Sequence, residues 1–170
     1  HTPNGSTVTY KFPSRGSQPA VDVKWIEGPR LPKAPTGYGW DIKGNGGFIM
    51  VGEKGGISHD GMRPNSPRLY PKSRWEDYRK NANERVPKTL KRVPGIHNDW
   101  VNGIRNSEMT VSDFSYSGPL TESIILGTLA IRTGKGLEWN AKDMKISGNK
   151  EAAALIDVEA RKGWRPSDLV

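Results

Sequence analysis

Residues 97–139 read HNDWVNGIRNSEMTVSDFSYSGPLTESIILGTLAIRTGKGLEW, and their centre holds the only long apolar run of the chain: Leu120, Ile124, Ile125, Leu126, Leu129, Ala130 and Ile131 fall within twelve residues. Pro119 suits a first helical position, and Glu122 then lies in the first turn, where the helix dipole favours an anion. Arg132 lies in the last turn and Gly134 follows as a left-handed cap. These signals predict a helix over 119–133. Its apolar residues spread around most of the circumference, which predicts burial on several sides. It is too short, and too polar at its flanks, to span a membrane. Just upstream, 98–105 reads as a short helix opening on His97, with Trp100, Val101 and Ile104 on its buried side.

Working outward, the N-terminal part reads as strands. In residues 7–12, Val8, Tyr10 and Phe12 alternate with Thr7, Thr9 and Lys11, the period of a half-buried strand. After a Pro-, Gly- and Ser-containing turn, Val21, Val23 and Trp25 resume that period, so the two segments form an antiparallel pair. Residues 28–46 are rich in Pro and Gly and read as a long surface loop. The apolar run 48–51, the turn at Gly52-Glu53-Lys54-Gly55 and residues 57–59 read as a second hairpin, with the uniformly apolar run as a central strand. Five prolines between Asp60 and Pro94 leave only 73–80 looking helical, Ser73 and Glu76 having the spacing of a capping box and Trp75 sharing a face with Tyr78 or with Arg79. Toward the end, 137–139 and 144–146 read as short strands. A last helix is expected over 150–162, with Gly163 as its stop. Strands first and helices later predict an α+β fold: an open-faced, mostly antiparallel sheet with helices packed on one face.

A length of 170 residues predicts a single domain, 1–170, able to bury a core. Twenty Gly and thirteen Pro require many turns, while six Trp, five Tyr and three Phe supply bulk that disordered chains lack. With no cysteine, disulfides, thiolate metal sites and a Cys nucleophile are excluded. The formal charge of +8 is concentrated: Lys72 to Arg92 contain eight Lys or Arg against Glu76, Asp77 and Glu84, a net +5. Such a segment can attract an anionic partner, though it also serves as a solvated surface. The first residue is His1 and no signal or targeting segment is visible, which predicts a chain processed or cut from something longer. The compartment stays open between cytoplasm and export to the periplasm.

The ordered set of 4–16 (NGSTVTYKFPSRG), 46–61 (GGFIMVGEKGGISHDG), 64–71 (PNSPRLYP), 97–100 (HNDW), 117–139 (SGPLTESIILGTLAIRTGKGLEW) and 159–164 (EARKGW) resembles the C-terminal domain of Gfo/Idh/MocA-family oxidoreductases, in particular a large bacterial branch of dehydrogenases. The resemblance implies a domain that binds a sugar or polyol-like substrate and builds a homo-oligomer through its open sheet face. In that family a preceding Rossmann half carries NAD or NADP and a Glu-Lys-Pro lysine.

Here that half is missing. A dinucleotide site needs G-x-G-x-x-G between a strand and a helix. Gly37-Tyr38-Gly39 has Ile42 at the third glycine position and Gly44-Asn45-Gly46 has Ile49, and neither precedes a predicted helix. Glu53-Lys54-Gly55 is a turn rather than Glu-Lys-Pro, and the family's Asp-x-x-x-His pair is absent. The expectation is therefore no catalytic residue, no cofactor-binding residue and no hydride transfer in the isolated chain, with NAD or NADP belonging to the full-length protein.

Candidate substrate-binding residues are His97, Arg68 and Tyr70. A neutral imidazole at a helix start can donate to and accept from a sugar hydroxyl, and it can equally cap the helix. Arg68 and Tyr70, in PRLYP, can present a guanidinium and a phenol to a polyol or carboxylate, or serve packing and a surface ion pair. Three scattered histidines predict no metal site. Trp25, Trp40 and Trp75, in the irregular half, are expected to be accessible for sugar stacking, and Trp100, Trp139 and Trp164 to be core. An alternative of a different class is a stand-alone module that binds acidic glycan or nucleic acid through 72–92, with Trp75 and Tyr78 as stacking platforms. Since no nucleic-acid module pattern is present, no nucleic acid is the expected partner. Ser-His-Asp hydrolase, P-loop and zincin motifs are likewise absent.

Overall fold

The computed structural model describes residues 3–40, 42, 46–63, 66–81, 85–156 and 159–165. The fold is α+β, with helices and open antiparallel sheets. The strands are shared among three small sheets, and the chain groups into two compact units. One is His1–Thr7 with Trp25–Lys91, the other Val8–Lys24 with Arg92–Val170.

The first hairpin joins β1, Ser6–Phe12, to β2, Val21–Glu27. Its base belongs to the first unit, where Ser6 Oγ donates to Glu27 Oε2 at 3.5 Å. Its tip belongs to the second, where Arg15 and Gln18 exchange backbone bonds of 3.0 and 2.9 Å. The period of two in β1 is real: Val8 and Tyr10 are half-buried, while Thr7, Thr9 and Lys11 are exposed.

The first unit also holds β3 (Gly47–Gly52), β4 (Gly55–Asp60) and β5 (Arg68–Tyr70), in the order β3-β4-β5, followed by α1 (Lys72–Lys80), which packs on β5. Val51 opposes Gly56 and Gly52 opposes Gly55 in the expected β3–β4 hairpin. The apolar run 48–51 is not central, however. It forms the edge strand, with Val51 71% exposed, and β4 takes the centre because PRLYP, read as a broken segment, pairs with it as a strand. In α1 the N-cap is Pro71 with no side-chain cap bond, so the Ser73–Glu76 capping box does not form. Trp75 and Tyr78 do share a face, stacked with centroids 6.0 Å apart.

The second unit contains α2 (Ile96–Asn106), α3 (Phe114–Thr133), β6 (Glu138–Asn140), β7 (Lys145–Ser147) and α4 (Lys150–Ala153). The central helix starts five residues before the predicted position. Asp113 is its N-cap, accepting the Ser115 N–H at 2.8 Å, and Pro119 lies inside it. Ser115 bonding, from the side chain first and the backbone second, holds the Asp113 carboxyl below the usual aspartate range. Burial on several sides is not found: Leu120, Ile124 and Ile125 are exposed, and Gly127 alone is buried, where the Tyr10 hydroxyl occupies the space a β-carbon would need. Thr121, Ser123, Thr128 and Thr133 each donate a hydroxyl to the carbonyl four residues back. Gly134, at φ 65°, closes the helix as expected.

On α2 the expected buried side is the exposed one, with Trp100 and Ile104 exposed by 62% and 69%. The residue buried instead is Asp99, whose Oδ2 accepts the Val111 N–H at 2.8 Å and so ties the helix to the segment leading into α3. Strands β6 and β7 lie within a residue of the predicted positions. Trp139 Nε1 donates to Glu122 Oε1 at 2.5 Å, which fastens β6 to α3. The last helix is far shorter than predicted, ending at Ala153. Of the expected continuation, 157–158 lie outside the described residues, and 159–162 are not helical. What fixes α4 is Asn149, which accepts the Ala152 N–H at 3.0 Å and donates to Thr133 Oγ1 at 2.9 Å.

Candidate functional site

Strand β5 carries Arg68 and Tyr70 two residues apart, so both project from the same face, and Leu69, opposite Ile57, projects from the other. The segment Tyr38-Gly39-Trp40 meets that face residue for residue. Tyr38 stands edge-on to Tyr70 with centroids 5.5 Å apart, and the Arg68 guanidinium carbon lies 4.8 Å from the centre of the Trp40 ring. Lys72 Nζ approaches the same indole at 5.6 Å. Two cations on one indole gain from its electron-rich face. Their own mutual repulsion makes the spot favourable for an anion.

Tyr70 is buried, 3% exposed, and its hydroxyl donates to the Met50 carbonyl at 2.9 Å. Its ring fits because the residue opposite in β4 is Gly56, where any side chain would strike the phenol ring. Burial pushes the Tyr70 phenol above the usual tyrosine range, and Tyr38 adds to the shift. Arg68 remains half-buried, held by the indole rather than by an ion pair among the described residues.

On the other side of this strand, β4, β5 and α1 bound a groove of about 630 Å³. Ile57 and Leu69 line it from the sheet, Trp75 and Tyr78 from the helix, with Arg74 and Asp77 beside them. Arg74 Nη1 also donates to the Lys54 carbonyl, and the Val86 N–H donates to the Tyr78 hydroxyl at 3.4 Å. Arg68 lines the groove as well, and it is the candidate residue common to the indole cluster and the groove.

His97 belongs to the second unit. It is the second residue of α2, exposed, and the N-cap there is Gly95 without a side-chain bond. The other histidine of chemical interest, His59, is buried in β4 and stacks on Phe48 at 5.8 Å. Among the described residues no group of three or more His, Asp or Glu is placed to hold a metal ion. No described helix is long and apolar enough to cross a membrane.

The tryptophans divide differently from expectation. Trp100 and Trp164 are among the most exposed large side chains rather than core, and Trp164 lies under Arg161 at 4.9 Å. Trp40, expected to be accessible, is half-buried with its Nε1 enclosed and without a hydrogen-bond partner among the described residues. The parts of the site that sequence reasoning missed are Tyr38, Arg74 and the place of Trp40 beside Arg68. Only the alternation of Tyr38 and Trp40, matching that of Arg68 and Tyr70, offered a signal.

Within an α+β fold, these features set guanidinium and ammonium groups beside aromatic faces. No family model, no curated protein and no solved structure matches the chain.

Proposed function

We propose that the chain is the C-terminal substrate-binding and oligomerisation domain of an NAD(P)-dependent oxidoreductase acting on a sugar or polyol-like substrate. The observation that carries this reading is the ordered set of segments from NGSTVTYKFPSRG to EARKGW, in a chain without a G-x-G-x-x-G turn or a Glu-Lys-Pro lysine. The α+β architecture with open sheets is compatible with it, and so are the apolar side chains left uncovered on β2 and β3. In this reading the isolated chain transfers no hydride, the nicotinamide cofactor belongs to a separate dinucleotide domain, and copies associate through the open sheet face.

The test is made on the intact polypeptide from its native source. Its mass is determined under denaturing conditions, then binding of NADH and NADPH and oxidation of a panel of sugars and polyols are measured. The reading expects a mass roughly twice that of this chain, the addition being an ordinary dinucleotide domain. It also expects cofactor binding by the whole protein and none by residues 1–170. A native polypeptide of 18.8 kDa would overturn it.

A second reading is favoured by the stacked Trp75 and Tyr78 within the basic 72–92 segment: a module that binds acidic glycan or nucleic acid on its own. It expects residues 1–170 to bind polyanions with affinity that falls steeply as salt rises.

A further inference from the structure

The groove between β4, β5 and α1, at about 630 Å³, has the size of a small-molecule site. Its helix wall is the stacked pair Trp75 and Tyr78, with planes 20° apart. Arg68 and Arg74 also border it, with Asp77 as the one carboxylate, and the Arg68 guanidinium is turned to Trp40 on the opposite face of β5. Among the described residues neither arginine is in an ion pair. Of Arg74's five N–H donors, Nη1 reaches the Lys54 carbonyl, which steadies the guanidinium without neutralising it.

Each group selects a ligand property. Indole and phenol rings offer flat apolar faces to the C–H side of a sugar ring. A guanidinium matches a carboxylate with two parallel hydrogen bonds. Asp77 can accept hydrogen bonds from hydroxyls. Bare phosphate would satisfy the arginine and leave the aromatic wall wet, and a neutral sugar would do the reverse. The net +5 of residues 72–92 further raises the local concentration of anions.

We infer that this groove binds a monosaccharide-sized acidic sugar, a uronic acid, with its ring against Trp75 and Tyr78 and its carboxylate on Arg74. The site lies wholly in the first unit and does not rest on the oxidoreductase reading. A chain that binds uronate, from a native polypeptide lacking a dinucleotide domain, would keep the site and remove that reading.

The experiment is a proton–nitrogen correlation titration of the ¹⁵N-labelled 170-residue chain with sodium glucuronate, sodium phosphate and glucose at constant ionic strength. Glucuronate is expected to bind with a Kd on the order of 1 mM. Its shifts should be confined to the neighbourhood of Leu69, Arg74, Trp75 and Tyr78, including the Trp75 indole N–H, with phosphate and glucose at least about tenfold weaker. Arg74→Gln, at an exposed position, should weaken glucuronate roughly tenfold, the scale of one charge-assisted hydrogen bond. Arg68→Gln, whose guanidinium lies on Trp40 across the strand, should leave that affinity within about twofold, and both variants should keep the dispersed spectrum of the parent. Equal affinity for phosphate or glucose, no shifts with glucuronate, or shifts spread along 72–92 and away from the groove would each overturn the assignment.

Discussion

Tyr70 gives its single proton to the Met50 carbonyl while lying over Gly56, so one side chain closes β5 against both β4 and β3. Tyr70→Phe keeps the ring and removes the bond, and should cost about 1 kcal/mol. The expected outcome is a lower denaturant midpoint with an unchanged slope. The phenol has a sign of its own. Its folded pKa is raised, so its contribution is fully present below the ordinary tyrosine value of about 10. That contribution should fade as pH climbs from there through the folded value, and the Tyr70→Phe variant should lack this part of the alkaline loss. At Gly127 a β-carbon would displace the Tyr10 hydroxyl, and Gly127→Ala should destabilise by about 1–3 kcal/mol. In a cycle with Tyr10→Ala much of that cost should disappear, because the two changes share one space. Little of this was readable beforehand. Nothing local in PRLYP or GYGW says that Tyr38 and Trp40 lie alongside Tyr70 and Arg68.

The elements whose form depends on neighbouring residues were legible. The alternation of Val8 and Tyr10 foretold β1, the glycine-rich turn foretold the β3–β4 hairpin, and Gly134 foretold the end of α3. Those decided at a distance were not. β5 exists because β4 offers it a partner, and that pairing is also what moves the apolar run 48–51 to an edge. The start of α3 was misread for a local reason: Pro119 is a good first-turn residue, but Asp113 is a better cap, and its bond to Ser115 opens the helix earlier. The Asp113 carboxyl is held low, so its contribution is present above about pH 3.9 and should be lost as pH falls through the lower folded value. Acid should therefore fray the 114–118 turn, seen as faster amide exchange there, and Asp113→Ala should abolish this acid step. Asp99 is a separate tie. Asp99→Ala leaves the Val111 N–H without its 2.8 Å acceptor and should cost about 1–3 kcal/mol by chemical denaturation.

Taken as a whole, the chain leaves many large apolar side chains at its surface, among them Trp25, Met50 and Val51 in the sheets and Trp100 and Ile104 on α2. Where exposed apolar side chains lie together on one element, as Trp100 and Ile104 do on α2, a covering partner can be tested for. The double change Trp100→Ser with Ile104→Ser should leave folding stability within about 0.5 kcal/mol, as for exposed positions. If a neighbouring copy covers that face, the same change should reduce self-association in sedimentation equilibrium. A loss of stability above about 2 kcal/mol would instead mean that the two side chains are buried within the monomer.

Helix α3 would meet any covering partner with few open hydroxyl donors. Thr121, Ser123, Thr128 and Thr133 have each turned their hydroxyl proton back to their own helix, so these side chains have no donor left to satisfy elsewhere. Drying this helix would release water held loosely and strand few polar groups. Calorimetry of any complex that covers it should therefore record a large negative heat-capacity change and an affinity nearly indifferent to salt.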